Sequence, residues 1–294
     1  MSGSTTVCVI NDYYNSNLTE KAIKSVNGYV DYIILITPDE NKYSSLELSK
    51  KTTLITTNSK RNSVGYRYLD GLNSINADYY FLLDYDDELT NPYIAYNKVN
   101  FGLADTDIAK YSEFYNAKKD IMYNVINNYV DWHISQYAIT NTFLTNLNKI
   151  IDIFEYDDID LGYSFDKLLF AFGLLFGNIY IYSFKDKYPN LNPVFINNAN
   201  SNSRTHTENR KEFYQYTLMA FRNLQQYKLE NLKFDKIDMH KYYKQYIDYQ
   251  VDLNFFLTFP TKANFKRLIR TYNIPKKKVI YYAYYMFVNG EKSE

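Results

Sequence analysis

Neither sign of charge is in excess in this 294-residue chain, where 33 basic residues stand against 33 acidic ones. A net charge of zero leaves no global field to draw in nucleic acid or a strongly acidic partner, so any electrostatic recognition is local. Cysteine occurs once, as Cys8 in the apolar run VCVI. That excludes an internal disulfide and reads as a small core residue rather than a nucleophile. A lone thiol also points to a reducing compartment. The N-terminal MSGSTTVCVINDYY has none of the basic, apolar and small-residue zones of a secretion signal. No apolar run reaches the roughly 20 residues of a spanning helix. The longest, LLFAFGLLFGNIYIY at residues 168–182, is broken by two glycines and an asparagine. These absences predict a soluble, cytoplasmic protein. Internal repeats and low-complexity tracts are missing too. What is present, 46% apolar residues, allows a sizeable core in one large or two modest domains. The 34 tyrosines, with abundant Asn, Ile and Lys, reflect genomic base composition more than mechanism.

The first third alternates two kinds of segment. TTVCVI, DYIILIT, TTLITT and ADYYFLLDY are short, apolar and β-branched or aromatic, and predict four strands. LTEKAIKSV, SSLELSKK and SVGYRYLDGLNSI carry the helical period between them, with Asn17 or Thr19 placed to cap the first. Such alternation predicts a parallel sheet with right-handed crossovers. Ligands of such sheets bind beyond the carboxyl ends of the strands. Those ends read NDYYN, TPDE, TNSKR and DYDDE, three of them acidic. No glycine-rich loop follows the first strand, which excludes the dinucleotide fingerprint and the P-loop. Downstream, DIAKYSEFYNA and NIYIYSF predict further strands, and NTFLTNLNKIIDIF and the end of FEYDDIDLGYSFDKLLFAFG predict helices. Residues 185–202, rich in Asn and Pro, read as a loop. Almost every window after residue 209 is helical. The expected organisation is a catalytic α/β domain at 1–208, with a mixed, mostly parallel central sheet flanked by helices, and a helical subdomain at 209–294.

The stretch DYYFLLDYDDELTNP runs an apolar strand into Asp84, Asp86 and Asp87. Carboxylates that close repel one another and raise each other's pKa. Acidic turns and helix caps are the ordinary fate of such clusters. The apolar run before this one marks a central strand, however, and in extended backbone Asp-x-Asp aims both side chains the same way. Two carboxylates so aimed can hold a hard divalent cation that keeps positions free for phosphate oxygens.

In this context the first third resembles family-2 glycosyltransferases with the nucleotide-sugar-binding A-type fold. DYYN, Asp12 to Asn15, stands where that family has a Pro-x-Tyr-Asn-like motif. KAIKSV matches the end of its first helix, and LDYDDELTNP matches its aspartate motif with a following proline. The resemblance implies a nucleotide-sugar donor, a UDP-sugar first among them, and Mn²⁺ or Mg²⁺ as cofactor. It implies Asp86 and Asp87 as metal ligands and Asp84 on the ribose or a metal-bound water. Tyr14 borders the base with Asp12 nearby, and Arg61 faces base or phosphates. The aspartate pair that closes the family's second strand is reduced here to Asp39 in ITPDE, which leaves the base open. Asp157-Asp158-Ile159-Asp160-Leu161 is similar to the family's acidic motif at the acceptor side. That implies Asp158, with Asp157 second, as the general base of an inverting transfer, with Trp132 upstream. His206, flanked by Arg204, stands where the family completes its metal or diphosphate site.

From residue 254 to 290 there are seven Lys or Arg residues and no acid, among many aromatics. This segment reads as a solvated basic face. It also reads as a grip on a polymer or lipid-linked anionic acceptor, with a peripheral place at the inner membrane face. A nucleic acid acceptor would fit the charge but has no motif behind it. The expected activity is metal-dependent transfer of a hexosyl or N-acetylhexosaminyl group to a glycan, polymer or lipid-linked hydroxyl. The alternatives are a nucleotidyltransferase of similar α/β design and a non-catalytic nucleotide-sugar-binding module.

Overall fold

A computed structural model of the protein describes residues 4–12, 16–38, 43, 51–56, 64–89, 108–112, 115–127, 133–153, 164–176, 179–182, 195–197, 210–226 and 237–290. Strands β1 (Thr6–Asn11), β2 (Tyr32–Thr37), β3 (Thr52–Thr56) and β4 (Tyr79–Asp84) form where the apolar, β-branched runs predict them. Helices α1 (Ser16–Val26) and α2 (Val64–Asn73) connect them. The chain continues through β5 (Asp87–Leu89), β6 (Ile108–Tyr111), α3 (Ile121–Ile126), β7 (Tyr137–Thr140), α4 (Asn141–Ile153), α5 (Phe165–Phe176), β8 (Ile179–Tyr182) and β9 (Phe195–Asn197). It closes with α6 (Arg210–Gln226), α7 (Ile237–Thr258), α8 (Lys262–Thr271) and α9 (Lys276–Asn289).

The main sheet has the order β3-β2-β1-β4-β7-β6-β8. The first four strands are mutually parallel, β7 runs antiparallel to β4 and β6, and β8 is parallel to β6. The sheet is therefore mixed and mostly parallel, as expected. From β1 the chain moves outward to β2 and β3, then returns to lay β4 on the other flank of β1. That reversal makes a switch point between β1 and β4, and a ligand crevice opens there beyond the strand ends. β4 is the middle strand of seven, consistent with its apolar run.

Alternation along the strands sorts the core. Val7, Val9, Tyr80 and Leu82 face a large cluster that also takes side chains from α2, α4, α5, α6 and α7. Cys8, Ile10, Phe81 and Leu83 face a smaller one with α1. Cys8 is fully buried and reduced, and burial pushes its thiol pKa up. Helix α2 sits hard against the sheet at Gly71. A Cβ there would lie 2.5 Å from Ile36 Cδ1 and 2.7 Å from Val9 Cγ1, so any other residue would force a side chain or the helix to shift.

Two local expectations are corrected. Residues 185–202 are not all loop, since Phe195–Asn197 pairs antiparallel with Asp87–Leu89 in a second small sheet. Neither Asn17 nor Thr19 caps α1. Both lie inside the helix, and the Thr19 hydroxyl donates to Asp12 instead. The antiparallel strand β7 was not foreseen, because it runs straight into helix α4 with no turn signal between them. The short helix expected at SSLELSKK lies outside the described residues.

Candidate functional site

The carboxylates of Asp84, Asp86 and Asp87 converge at the carboxyl end of β4. One oxygen from each lies within 4.8 Å of the others. Asp84 closes the strand, Asp86 sits in the turn, and Asp87 opens β5, so the cluster spans a tight reversal of the chain. Each position is held separately. Asp84 Oδ1 accepts from the Tyr68 hydroxyl at 2.8 Å, and its amide donates to Ser135 Oγ at 3.0 Å. Ser135 in turn donates to Asp87 Oδ2 through a short hydrogen bond. Tyr68 is itself fixed by stacking on Phe165, with ring centroids 5.9 Å apart.

Burial is the main cause that raises all three carboxyl pKa values. Asp86 adds to the effect on Asp84, and Asp84 and Asp86 add to it on Asp87. Mutual repulsion in a partly dry site means the three cannot all ionise without a counter-charge. Asp87 is 1% exposed, and its Oδ1 is buried without a hydrogen-bond partner. An orphaned carboxylate oxygen inside an all-oxygen donor set fits a hard divalent cation such as Mn²⁺ or Mg²⁺.

Behind the cluster lies a strained residue. His133 has φ 82°, which disfavours a side chain. Its amide donates to Asp166 Oδ2 at 3.0 Å, its carbonyl accepts from the buried Lys110 Nζ at 3.0 Å, and its Nδ1 lies 3.6 Å from Asp87 Oδ2. Burial, then Lys110, pushes the imidazole pKa down to about 4, so the ring is neutral at physiological pH. Lys110 also donates to Gln136 Oε1 at 2.8 Å and lies over the Tyr137 ring. Strain of this kind, on the order of 1–3 kcal/mol, persists only where surrounding contacts impose it, and it gathers at ligand sites.

Asn11 closes β1 and is the Cα partner of Asp84 in the parallel register. Alternation puts both on the face of Val9 and Leu82. Asn11 is 1% exposed, and neither its Nδ2 nor its Oδ1 has a partner. Asp12, one residue on, belongs to the other face. Its carboxylate accepts from Thr19 Oγ1 at 2.7 Å and Thr37 Oγ1 at 3.3 Å, and its carbonyl from Arg67 Nη1 at 3.2 Å. Asp12 thus ties β1, α1, β2 and α2 together just below the crevice.

No protein-family model and no curated protein matches the sequence. Solved structures do. The crystal structure of S. aureus TarS 1-349 gives a TM-score of 0.52 at 12% identity, over 86% of this chain and 72% of that one. The chain has the A-type fold of TarS. TarS is a family-2 glycosyltransferase, and its 1-349 form in complex with UDP-GlcNAc gives 0.52 at 10% identity, over 97% of this chain and 89% of that one. Against a longer TarS structure the TM-score is 0.53 at 10% identity, over 88% of this chain but only 44% of TarS. At these identities the likeness is one of fold.

Within this A-type fold, the expected residues Asp84, Asp86 and Asp87 come together, and Asp12 lies buried just past the end of the neighbouring strand β1. Tyr14, Asp39, Arg61, Trp132, Asp157, Asp158, Arg204 and His206 lie outside the described residues. Asn11, Tyr68, Ser135 and Asp166 were not foreseen. Asn11 had a visible signal, a polar residue closing an otherwise apolar strand. Asp166 had a weaker one, an acid in the first turn of an apolar helix. Ser135 and Tyr68 had none, because only the folded chain brings them to the carboxylates.

Proposed function

We propose that this protein transfers a sugar from a nucleoside-diphosphate sugar, a UDP-sugar first, to an acceptor hydroxyl with inversion at the anomeric carbon. The observation that carries the reading is the convergence of Asp84, Asp86 and Asp87 beside the switch point of this fold. The complex of TarS with UDP-GlcNAc supports a uridine donor, with an N-acetylhexosamine the first sugar to try and a hexose the second.

Asp86 and Asp87 would hold Mn²⁺ or Mg²⁺, with His206 as a further ligand. When bound, the ion supplies Lewis-acid stabilisation of charge on the departing diphosphate. The chain's own residues do the rest. Tyr68 and Ser135 fix the directions of Asp84 and Asp87, and Asp84 faces the ribose. Tyr14 and Asp39 would border the base with Asp12 nearby, Arg61 would face base or phosphates, and Arg204 would meet the phosphates. Asp158, with Asp157 second, takes the proton of the acceptor hydroxyl as it attacks. That base stands across the sugar ring from the diphosphate, away from the cation, because a ligated carboxylate is a poor proton acceptor. The helical part at 209–294 receives the acceptor, a glycan, polymer or lipid-linked hydroxyl.

The test is a panel of nucleotide sugars with Mn²⁺, scored by release of nucleoside diphosphate. UDP-sugars are expected to turn over, slowly to water and faster with acceptor. Asp86→Ala is expected to lose donor binding, and Asp158→Asn to keep binding and lose transfer. A panel with no turnover, or full transfer by Asp158→Asn, contradicts the reading.

A further inference from the structure

Helix α9 carries an exposed apolar face to which the carboxylate cluster contributes nothing. On one side it buries Tyr282 and packs Val279 and Met286 against the core. On the other, Ile280 is 71% exposed, Tyr284 67%, Phe287 86% and Val288 56%. The spacing i, i+4, i+7, i+8 sets these four on one helix face. Single exposed apolar residues are ordinary, but four adjacent ones on one face mark an interaction surface.

Every charge on the described residues of α8 and α9 is basic. Lys276 and Lys277 are exposed in its first turn, and Lys277 precedes Ile280 by three residues, on the same face. At the far end a Cβ on Gly290 would come within 2.9 Å of the Pro260 carbonyl oxygen, and the Tyr285 hydroxyl donates to Leu257 O at 2.8 Å. Those contacts bring the first turn of α8, with exposed Lys262, to the end of α9, so the two helices run antiparallel. Lys262, Lys266 and Arg270 form an exposed stripe along α8. No acid occurs from residue 254 to residue 290.

We propose that this face of α9 docks on an anionic lipid bilayer, with Ile280, Tyr284, Phe287 and Val288 in the headgroup boundary and Lys276 and Lys277 against lipid phosphates. Charge complementarity argues for this occupant, since the exposed side chains that flank the apolar face include Lys262, Lys276 and Lys277. Two α9 faces packed in parallel would set Lys276 and Lys277 against their counterparts, a like-charge contact that opposes pairing. A lipid surface neutralises every cation at once. The proposal needs neither the carboxylate cluster nor a sugar donor, so it stands or falls separately from the transferase reading.

The test is co-sedimentation of the full chain with vesicles of phosphatidylcholine alone and of an equal mixture of phosphatidylcholine and phosphatidylglycerol. Binding is expected to the mixed vesicles and not to phosphatidylcholine, and to weaken with salt. Two double variants probe the face, Tyr284→Ser with Phe287→Ser, and Lys276→Gln with Lys277→Gln. All four side chains are exposed, so melting temperatures should match the parent. Each pair is expected to lower the vesicle partition coefficient about tenfold or more, through lost attraction to the anionic surface or lost burial of two rings. Absence of binding to mixed vesicles, or equal binding by parent and variants, overturns the proposal. So does a dimer in sedimentation velocity that the Tyr284→Ser/Phe287→Ser variant abolishes, since the face would then serve self-association.

Discussion

The hydroxyl of Ser135 donates to the buried carboxylate of Asp87, joining residues 48 positions apart. The same oxygen accepts the amide of Asp84 at 3.0 Å, so one side chain fixes two of the three clustered carboxylates. Ser135→Ala leaves a buried amide and a buried carboxylate oxygen short of a partner. Losing each such bond costs about 1–3 kcal/mol. The Ser135 bond also lowers the Asp87 pKa, so its loss lets burial raise that pKa further. Thermal unfolding should show a destabilised protein, and calorimetric titration should show weaker Mn²⁺ affinity at neutral pH. An unchanged melting temperature and affinity would contradict this role.

The raised carboxyl pKa values make the cation-free protein sensitive to alkali. Asp84 moves from 3.8 to about 7 and Asp87 to about 9, both chiefly through burial. Between about pH 4 and those values the folded state binds more protons than the unfolded state, so stability falls as pH rises. The cluster's contribution is thus fully present below about pH 4 and lost progressively toward about pH 9. Asp86→Asn removes one repelling charge. With chelator at pH 8 it should melt roughly 2–4 °C above the parent, the shift that about 1 kcal/mol makes in a chain of this size. Near pH 4 the difference should vanish. Mn²⁺ should raise the melting temperature of the parent at pH 8 and leave that of Asp86→Asn nearly unmoved.

Asp12 is a latch whose loss should be felt in the fold before it is felt in binding. Its carboxylate holds hydroxyls from α1 and β2. Asp12→Ala strands both, and should lower stability in urea by about 3–6 kcal/mol, at about 1.5–3 per bond to a charged group. Thr19→Val removes only one of them and should cost roughly half as much.

Gly71→Ala tests the close approach of α2 to the sheet. A methyl group at 2.5 Å from Ile36 Cδ1 and 2.7 Å from Val9 Cγ1 must displace those buried side chains or the helix. Overpacking of this kind costs about 1–3 kcal/mol, which exceeds the gain in helix propensity of about 1 kcal/mol. Net destabilisation in chemical unfolding is the expected outcome, and a stabilised variant would contradict the packing.

The parallel half of the sheet was legible because β1, β2 and β4 are apolar on both faces, which only a strand covered on both sides requires. The acidic end of β4 was legible for the same reason, as charge placed where an apolar run stops. Strands β5 and β9 were not, since three residues hold no readable period, and β7 was not, since it runs straight into helix α4 with no turn signal between them. The supports of the site were hidden by distance in sequence. Tyr68 reads as one more core aromatic on α2, and Ser135 as one more turn residue. Their roles exist only once α2 and the turn before β7 meet the end of β4. Thr19 misled as a helix cap because Asp12, seven residues earlier, offers its hydroxyl a stronger, charged acceptor.

The most direct test of the central claim is calorimetric titration of UDP into the protein, with Mn²⁺ and again with chelator. The account predicts saturable binding that needs the ion, persists in Asp158→Asn and disappears in Asp86→Ala. Equal binding with and without the ion, or undiminished binding by Asp86→Ala, would contradict the claim that the carboxylates closing β4 hold a cation against a nucleoside diphosphate.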